Sequence, residues 1–194
     1  ALKINKEKTV SGTKILADGD PGLHTPHMIR REEKTDIISK EIGYSLDWFD
    51  DSLNDYLTDK KKNMQLDLFG TRQYFGNGLD LAEINHFSRQ FTQIAWEYHN
   101  TRKELCLDLK PENVMVNPNS AGDYPDLVYS DTGISTPIDR SKSEASRNSV
   151  GTEYIRSPKL FRDNSKADVK DDIFSVASNI YNLFTGEFLF QKEI

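Results

Sequence analysis

The feature that most constrains this chain is a run of apolar residues at helical spacing. Ile84, Phe87, Phe91, Ile94, Ala95 and Tyr98 step by three or four, which predicts an amphipathic helix over 82–101, about five turns long. A second run, Ile173, Val176, Ala177, Ile180, Leu183 and Phe184, predicts another strongly apolar helix ending at Thr185-Gly186. Between the two lie short apolar pieces, Val114-Met115-Val116 and Leu127-Val128-Tyr129. Residues 117–123, rich in Asn, Pro and Gly, join those pieces and predict a hairpin loop.

The N-terminal third is less regular. Ala1-Leu2-Lys3-Ile4 alternates like a strand and leads into a turn-rich connection through Gly12, Gly19 and Pro21-Gly22. Thr25-Pro26 has the form of a helix start, Thr as N-cap and Pro at the first helical position. Ile29, Glu33 and Ile37 follow at four-residue steps, with Ile38 and Ile42 beside them and Gly43 at the C-cap position, predicting a helix over 26–42. Over 44–78, Trp48, Phe49, Leu53, Tyr56 and Leu57 have helical spacing, Met64, Leu66 and Leu68 alternate like a strand, and Gly76-Asn77-Gly78 marks a turn or hinge. The polar tract 135–149 is expected to be a surface segment.

Composition narrows the function classes. The 194 residues are 36% hydrophobic and 10% aromatic, enough for a core and unlike a wholly disordered chain. A net charge of −6, with Lys60-Lys61-Lys62 the one dense basic run, argues against nucleic acid as a partner. The single cysteine, Cys106, excludes an intramolecular disulfide and a cysteine-cluster metal site, and fits a reducing, cytoplasmic compartment. His24, His27, His86 and His99 show no zinc-ligand spacing. No apolar run approaches the ~18–20 residues of a membrane span, and no signal-peptide core opens the chain. Because the sequence starts at Ala1 rather than Met and ends just after an apolar helical stretch, it is expected to be a piece of something longer.

The densest chemical signal is Leu107-Asp108-Leu109-Lys110-Pro111-Glu112-Asn113-Val114, between the long helix and the first hairpin strand. It sets a carboxylate, an ammonium and a carboxamide on one short loop. Phosphoryl transfer needs such a set: Asp108 to orient or deprotonate a hydroxyl, Lys110 to balance transferred charge, and Asn113 to offer an amide oxygen to a divalent cation. Asp131, at the end of the second hairpin strand before Thr132-Gly133, is placed to hold Mg²⁺ by oxygen ligation.

These residues resemble the protein-kinase family. Asp108, the intervening Lys-Pro-Glu and Asn113 match its catalytic loop, and lysine two places after the aspartate resembles the serine/threonine branch. Asp131-Thr132-Gly133 stands where the family has Asp-Phe-Gly. Gly151-Thr152-Glu153-Tyr154 with Ser157-Pro158-Lys159 looks like the end of an activation segment, whose usual form closes with Ala-Pro-Glu. Residues 172–187 are similar to the buried helix that anchors the catalytic loop, so that Asp172 would hydrogen-bond the loop backbone.

The resemblance implies an α+β, bilobal kinase-like fold with a mostly helical C-lobe, incomplete at both ends: a partial N-lobe and hinge region over 1–78 and a partial C-lobe over 79–194. It implies ATP and Mg²⁺ as cofactors and a protein as the substrate. Lys3 would grip the nucleotide phosphates, Glu33 on the 26–42 helix would pair with Lys3, and Met115 would lie under the adenine ring. Thr152 would contact the catalytic aspartate and lysine.

Departures from the family pattern are specific. Cys106-Leu107 replaces the His-Arg that usually precedes the aspartate, which removes the ordinary link between a phosphorylated activation loop and the catalytic loop. Thr132 replaces a packing phenylalanine, and Lys159 replaces a glutamate that normally makes a buried ion pair. The serines at 141, 143, 146 and 149 could accept phosphate. Cys106 has no neighbouring base to activate it as a nucleophile. The expected activity is ATP- and Mg²⁺-dependent phosphorylation of serine or threonine in a protein. The alternative is a pseudokinase, a nucleotide-binding scaffold of the same fold. A small-molecule phosphotransferase of related fold is disfavoured by the peptide-docking segment around Gly151 and Pro158.

Overall fold

The computed structural model describes residues 2–5, 31–35, 42–46, 49–64, 73–118, 122–131, 134–138, 151–161 and 166–190. Three α-helices and three small sheets make up most of the regular structure among them. Strands β1 (Leu2–Asn5), β2 (Arg31–Thr35) and β3 (Ile42–Leu46) form an antiparallel sheet of order β1-β3-β2. Helix α1 (Leu53–Met64) and helix α2 (Leu81–Glu97) follow, the second extended by a π-turn, Tyr98–Arg102. Strand β4 (Glu104–Leu105) pairs with β7 (Thr136–Pro137), and β5 (Val114–Asn117) pairs with β6 (Asp126–Tyr129). Helix α3 (Val169–Thr185) comes last. None of the helices among the described residues is long and apolar enough to cross a membrane.

The N-terminal sheet corrects one expectation. Instead of a helix over 26–42, the chain forms strands at 31–35 and 42–46, and Gly43 is not a helix cap: it lies inside β3, opposite Ile4 and Lys34. Ile42, Tyr44 and Leu46 recur at every second position, the period of a strand, and this alternation outweighs a helical stripe that used charged Glu33 as one of its three members. Pairing on both sides of β3 then satisfies backbone groups that a weak local preference leaves open. Residues 26–30 and 36–41 lie outside the described residues, as do 6–24, Trp48, Leu66 and Leu68. Met64 ends α1 rather than starting a strand.

The two long helices start on acidic caps. Asp80 accepts the Glu83 backbone N–H at 2.9 Å while Glu83 accepts the Asp80 N–H, a reciprocal capping box opening α2. Asp168 and Asp171 form the same box on α3, with the Asp168 N–H donating to Asp171 at 2.7 Å. Helix α3 stops at Gly186, whose φ of +79° suits a residue without a Cβ. There Gly76 donates its N–H to the Phe184 carbonyl at 2.9 Å and Asn77 donates to Asn182, so the Gly-Asn-Gly turn docks on the end of α3.

One hydrophobic cluster joins these parts. Phe87, Phe91, Ile94 and Tyr98 from α2 pack with Leu53 and Leu57 of α1, Val114, Val116, Leu127 and Tyr129 of the hairpin, and Val176 and Leu183 of α3. Each such side chain, fully buried, contributes on the order of 1.5–3 kcal/mol. Buried polar groups tie the same elements: Glu83 on α2 accepts the Tyr56 hydroxyl at 2.8 Å and pairs with Lys60 at 2.7 Å, both on α1. Gln90 bonds the hairpin through Asp126 and the Leu127 N–H. The tract expected to run over the surface from 135 begins with a buried residue, Ser135; residues 139–149 lie outside the described residues.

Candidate active site

The loop between β4 and β5 is held in place before any of its functional side chains is considered. At its start Leu107 adopts a left-handed backbone, φ +62°, a conformation that costs an L-residue free energy and persists only where the surroundings impose it. The surroundings here are Asp172 of α3, which is fully buried. Its carboxylate accepts the Cys106 N–H at 2.8 Å, the Leu107 N–H at 2.8 Å and His99 Nε2 at 2.7 Å. Two turns further along α3, Asn179 donates to the Leu109 carbonyl at 2.7 Å. At the other end, Pro111 starts a 3-10 turn, Pro111–Asn113, closed by the Asn113 N–H on the Lys110 carbonyl at 3.0 Å.

That framework brings four of the expected residues into direct contact. One oxygen of Asp108 accepts the Thr152 hydroxyl at 2.7 Å and the Thr152 N–H at 2.9 Å. The other accepts the Asn113 amide at 2.9 Å and lies 3.1 Å from the Lys110 ammonium. Lys110 also donates to the Thr152 hydroxyl at 2.8 Å. Four donors thus fill the acceptor capacity of one carboxylate. The Asp108 side chain keeps 14% of its surface exposed, so the group is oriented from behind yet reachable. Gly151 makes the approach possible: its φ is +85° and a Cβ there would collide with the Leu107 carbonyl oxygen.

Asn113 turns its amide nitrogen toward Asp108, donating to the Asp108 carbonyl as well at 3.0 Å, which leaves its amide oxygen off those bonds. Ser130 binds the Asn113 carbonyl through both its N–H and its hydroxyl, each at 2.9 Å, and the next residue is the exposed Asp131. The hairpin register that pairs Val114 with Tyr129 therefore carries Asn113 and Asp131 to the same end of the ladder. No group of three or more His, Cys, Asp or Glu side chains poised for a metal occurs among the described residues. Two oxygen ligands of this kind match Mg²⁺, which takes one or two protein carboxylates and completes its shell with phosphates and water. Met115 lies two residues beyond Asn113, half-buried between the inward Val114 and Val116. Its strand runs beside residues 51–52, where the Val116 N–H meets the Asp51 carbonyl at 3.0 Å.

Lys3 and Glu33 are not brought to these residues by any described contact. Both take the register position of Tyr44, Lys3 from β1 and Glu33 from β2, so Glu33 belongs to a strand and not to the helix expected to aim it at Lys3. Thr132 and Gly133 lie outside the described residues.

The match to known families follows this geometry. The protein kinase domain family matches residues 50–194. The chain belongs to that family. It is 34% identical over 111 residues to the CTD kinase subunit alpha of Schizosaccharomyces pombe, covering 57% of this chain and 18% of that protein. It is 35% identical over 97 residues to the probable serine/threonine-protein kinase nek3 of Dictyostelium discoideum, covering 49% of this chain and 8% of that protein. With the serine/threonine-protein kinase RUNKEL of Arabidopsis thaliana it shares 26% over 93 residues, 48% of this chain and 6% of that protein. The chain thus spans less than a fifth of the length of these curated relatives.

Several groups in this kinase-family site escaped sequence reasoning. His99, Ser175, Ser178 and Asn179 all bond Asp172, the catalytic loop or the segment after Thr152: Ser175 donates to the Ile155 carbonyl at 2.9 Å and Ser178 to the Tyr154 carbonyl at 3.1 Å. The available signal was a polar stripe, Asp172, Ser175 and Asn179, at helical steps inside an otherwise apolar helix, because polar groups buried there need partners. Cys106 is fully buried, and burial, with Asp172 and Glu104 nearby, pushes its thiol well above the usual range, which keeps it un-ionised.

Proposed function

We propose that the chain carries the catalytic centre of a serine/threonine protein kinase, transferring the γ-phosphoryl group of ATP, with Mg²⁺, to a hydroxyl of a protein. The observation that carries this reading is the Asp108 carboxylate gripped by Asn113, Lys110 and Thr152 at 2.7–3.1 Å. Asp108 orients the acceptor hydroxyl and takes its proton as the oxygen–phosphorus bond forms. An incoming hydroxyl that donates to Asp108 takes the place of one of the present donors, and Lys110 is near enough to meet the charge on the transferred group. Asn113 and Asp131 hold the cation. That cation, when bound, would neutralise charge on the nucleotide phosphates. Lys3 grips those phosphates and Met115 faces the adenine. Because the transition state of phosphoryl transfer is loose, positioning and charge stabilisation by these groups constitute nearly all of the catalysis.

The serine/threonine preference is supported by Lys110, two places after Asp108, and by the names of two of the relatives. A reducing, cytoplasmic setting agrees with a lone buried thiol. The test is radiolabelled phosphate transfer from ATP to a peptide library, with nucleotide binding followed separately by thermal shift. Transfer to serine or threonine that needs Mg²⁺ and falls by about 10² or more in Asp108→Asn is expected. Nucleotide-dependent stabilisation with no transfer would overturn it in favour of a nucleotide-binding scaffold.

A further inference from the structure

The two residues before Asp108 are Cys106 and Leu107, where the family resemblance puts a histidine and an arginine. Both reach the buried Asp172 carboxylate through their backbone N–H groups, each at 2.8 Å, and a leucine side chain has no N–H to add. The side-chain donor comes from elsewhere. His99 Nε2 lies 2.7 Å from Asp172 Oδ2, the same oxygen that accepts the Cys106 N–H. Among the described residues, His99 is the one lysine, arginine or histidine paired with Asp172.

That imidazole stands on a stiff mount. His99 belongs to the π-turn Tyr98–Arg102, whose wider winding departs from the α-helical ladder of α2. The turn closes at Lys103, left-handed at φ +57°, with the Lys103 N–H on the Tyr98 carbonyl. On one side of His99, Tyr98 is fully buried, its ring edge-on to that of Tyr129 with centroids 5.2 Å apart. On the other, Asn100 donates to the Trp96 carbonyl at 2.9 Å. The His99 side chain is itself 11% exposed. A carboxylate held out of water depends on each of its donors, and removing one leaves charge that is poorly compensated. The same carboxylate supports the left-handed Leu107, the residue next to Asp108. A loosened Asp172 therefore loosens Asp108, and displacing a reacting group by about 1 Å can cost on the order of 10²-fold in rate.

We propose that His99 is a positioning residue for phosphoryl transfer: through Asp172 it fixes the Cys106–Leu107 backbone, and with it Asp108, supplying the side-chain donor that the loop itself lacks. This rests on the phosphotransfer proposed above, so the test has one arm that does not need catalysis. Three variants of the full chain separate the N–H from the bulk of the ring. His99→Phe keeps a ring and removes the N–H, His99→Gln carries an amide nitrogen as far out as Nε2, and His99→Asn only as far as Nδ1. In His99→Phe, hydrogen exchange of amides 106–108 is expected to speed up by about tenfold or more, with α2 and the β5–β6 hairpin unchanged. Its kcat is expected to fall by about tenfold or more while KM for ATP and for the peptide stays within about twofold, the signature of a group lost from the transition state alone. His99→Gln restores both, and His99→Asn behaves like phenylalanine. Unchanged exchange or kcat in His99→Phe, a glutamine variant no better than phenylalanine, or faster exchange throughout the chain would overturn the proposal. If the wild-type chain transfers no phosphate, the kinase activity falls, and the exchange order of the three variants still decides whether the His99 N–H holds the loop.

Discussion

At the scale of single residues, Thr152 is the hinge of the candidate site, because one hydroxyl both donates to Asp108 and accepts from Lys110. Its removal takes one hydrogen bond from each of two charged side chains at once. Thr152→Ala is therefore expected to lower kcat by about tenfold or more while nucleotide affinity holds, and Thr152→Ser to keep most of the rate, as steady-state kinetics would reveal. Glu104 shows the opposite case, a charge the fold tolerates. Its carboxyl is raised above the usual 4.5 by burial, against a partial offset from Arg102 at 3.6 Å, and one of its oxygens has no hydrogen-bond partner. A raised folded pKa means the folded state binds the proton more tightly, so stability is gained as pH falls through that pKa and lost as pH rises through it. Glu104→Gln should then melt higher than wild type at pH 7, with the difference closing toward pH 4.5 and absent below it. A gap independent of pH in thermal melts would contradict this.

Among the elements, α3 does the most to define the site. Its apolar face supplies Val176 and Leu183 to the core, while Asp172, Ser175, Ser178 and Asn179 bind the backbone of two loops that have little regular structure of their own. Backbone N–H and C=O groups in buried loops need partners as strictly as those in helices, and a helix is rigid enough to present them at fixed spacing. Asp172 matters most, since it meets two N–H groups and an imidazole and supports the left-handed Leu107. Denaturant unfolding of Asp172→Ala is expected to show a loss of about 3–5 kcal/mol, the range for breaking one side of a buried charged network. Asp172→Asn, which keeps one acceptor oxygen, should lose less. Equal losses in the two variants would mean that one retained acceptor oxygen cannot replace the carboxylate, against this expectation.

Across the whole molecule, α2 is the element on which the others converge: α1, the β5–β6 hairpin and α3 all pack on its apolar stripe. Phe91, fully buried at the centre of that stripe, is expected to cost about 3–5 kcal/mol when cut to alanine, whereas Trp96, 56% exposed on the opposite face, should cost well under 1 kcal/mol, both by equilibrium unfolding. The stripe was legible in the sequence, and so were α3 with its glycine stop, the hairpin, and the spacing of Asp108, Lys110 and Asn113, because each is a local pattern of period or order. The capping boxes at Asp80 and Asp168 were equally local and equally readable. What period alone misassigned was 26–42, where polar β2 is a strand only because β3 lies beside it, so that Glu33 fell on a strand. Partners distant along the chain were beyond the reach of period and spacing: Asp172 meets Cys106 across 66 residues and Thr152 meets Asp108 across 44, contacts that only the family resemblance led one to expect. Sequence alone determined the two long apolar helices and which groups of the Asp108 loop could do chemistry, since both follow from neighbours three to five residues apart. Which of those groups touch, and that His99 would meet the Asp172 carboxylate of α3, was decided by tertiary packing, because hydrogen bonds and ion pairs depend on distance in space and carry no signature in chain order.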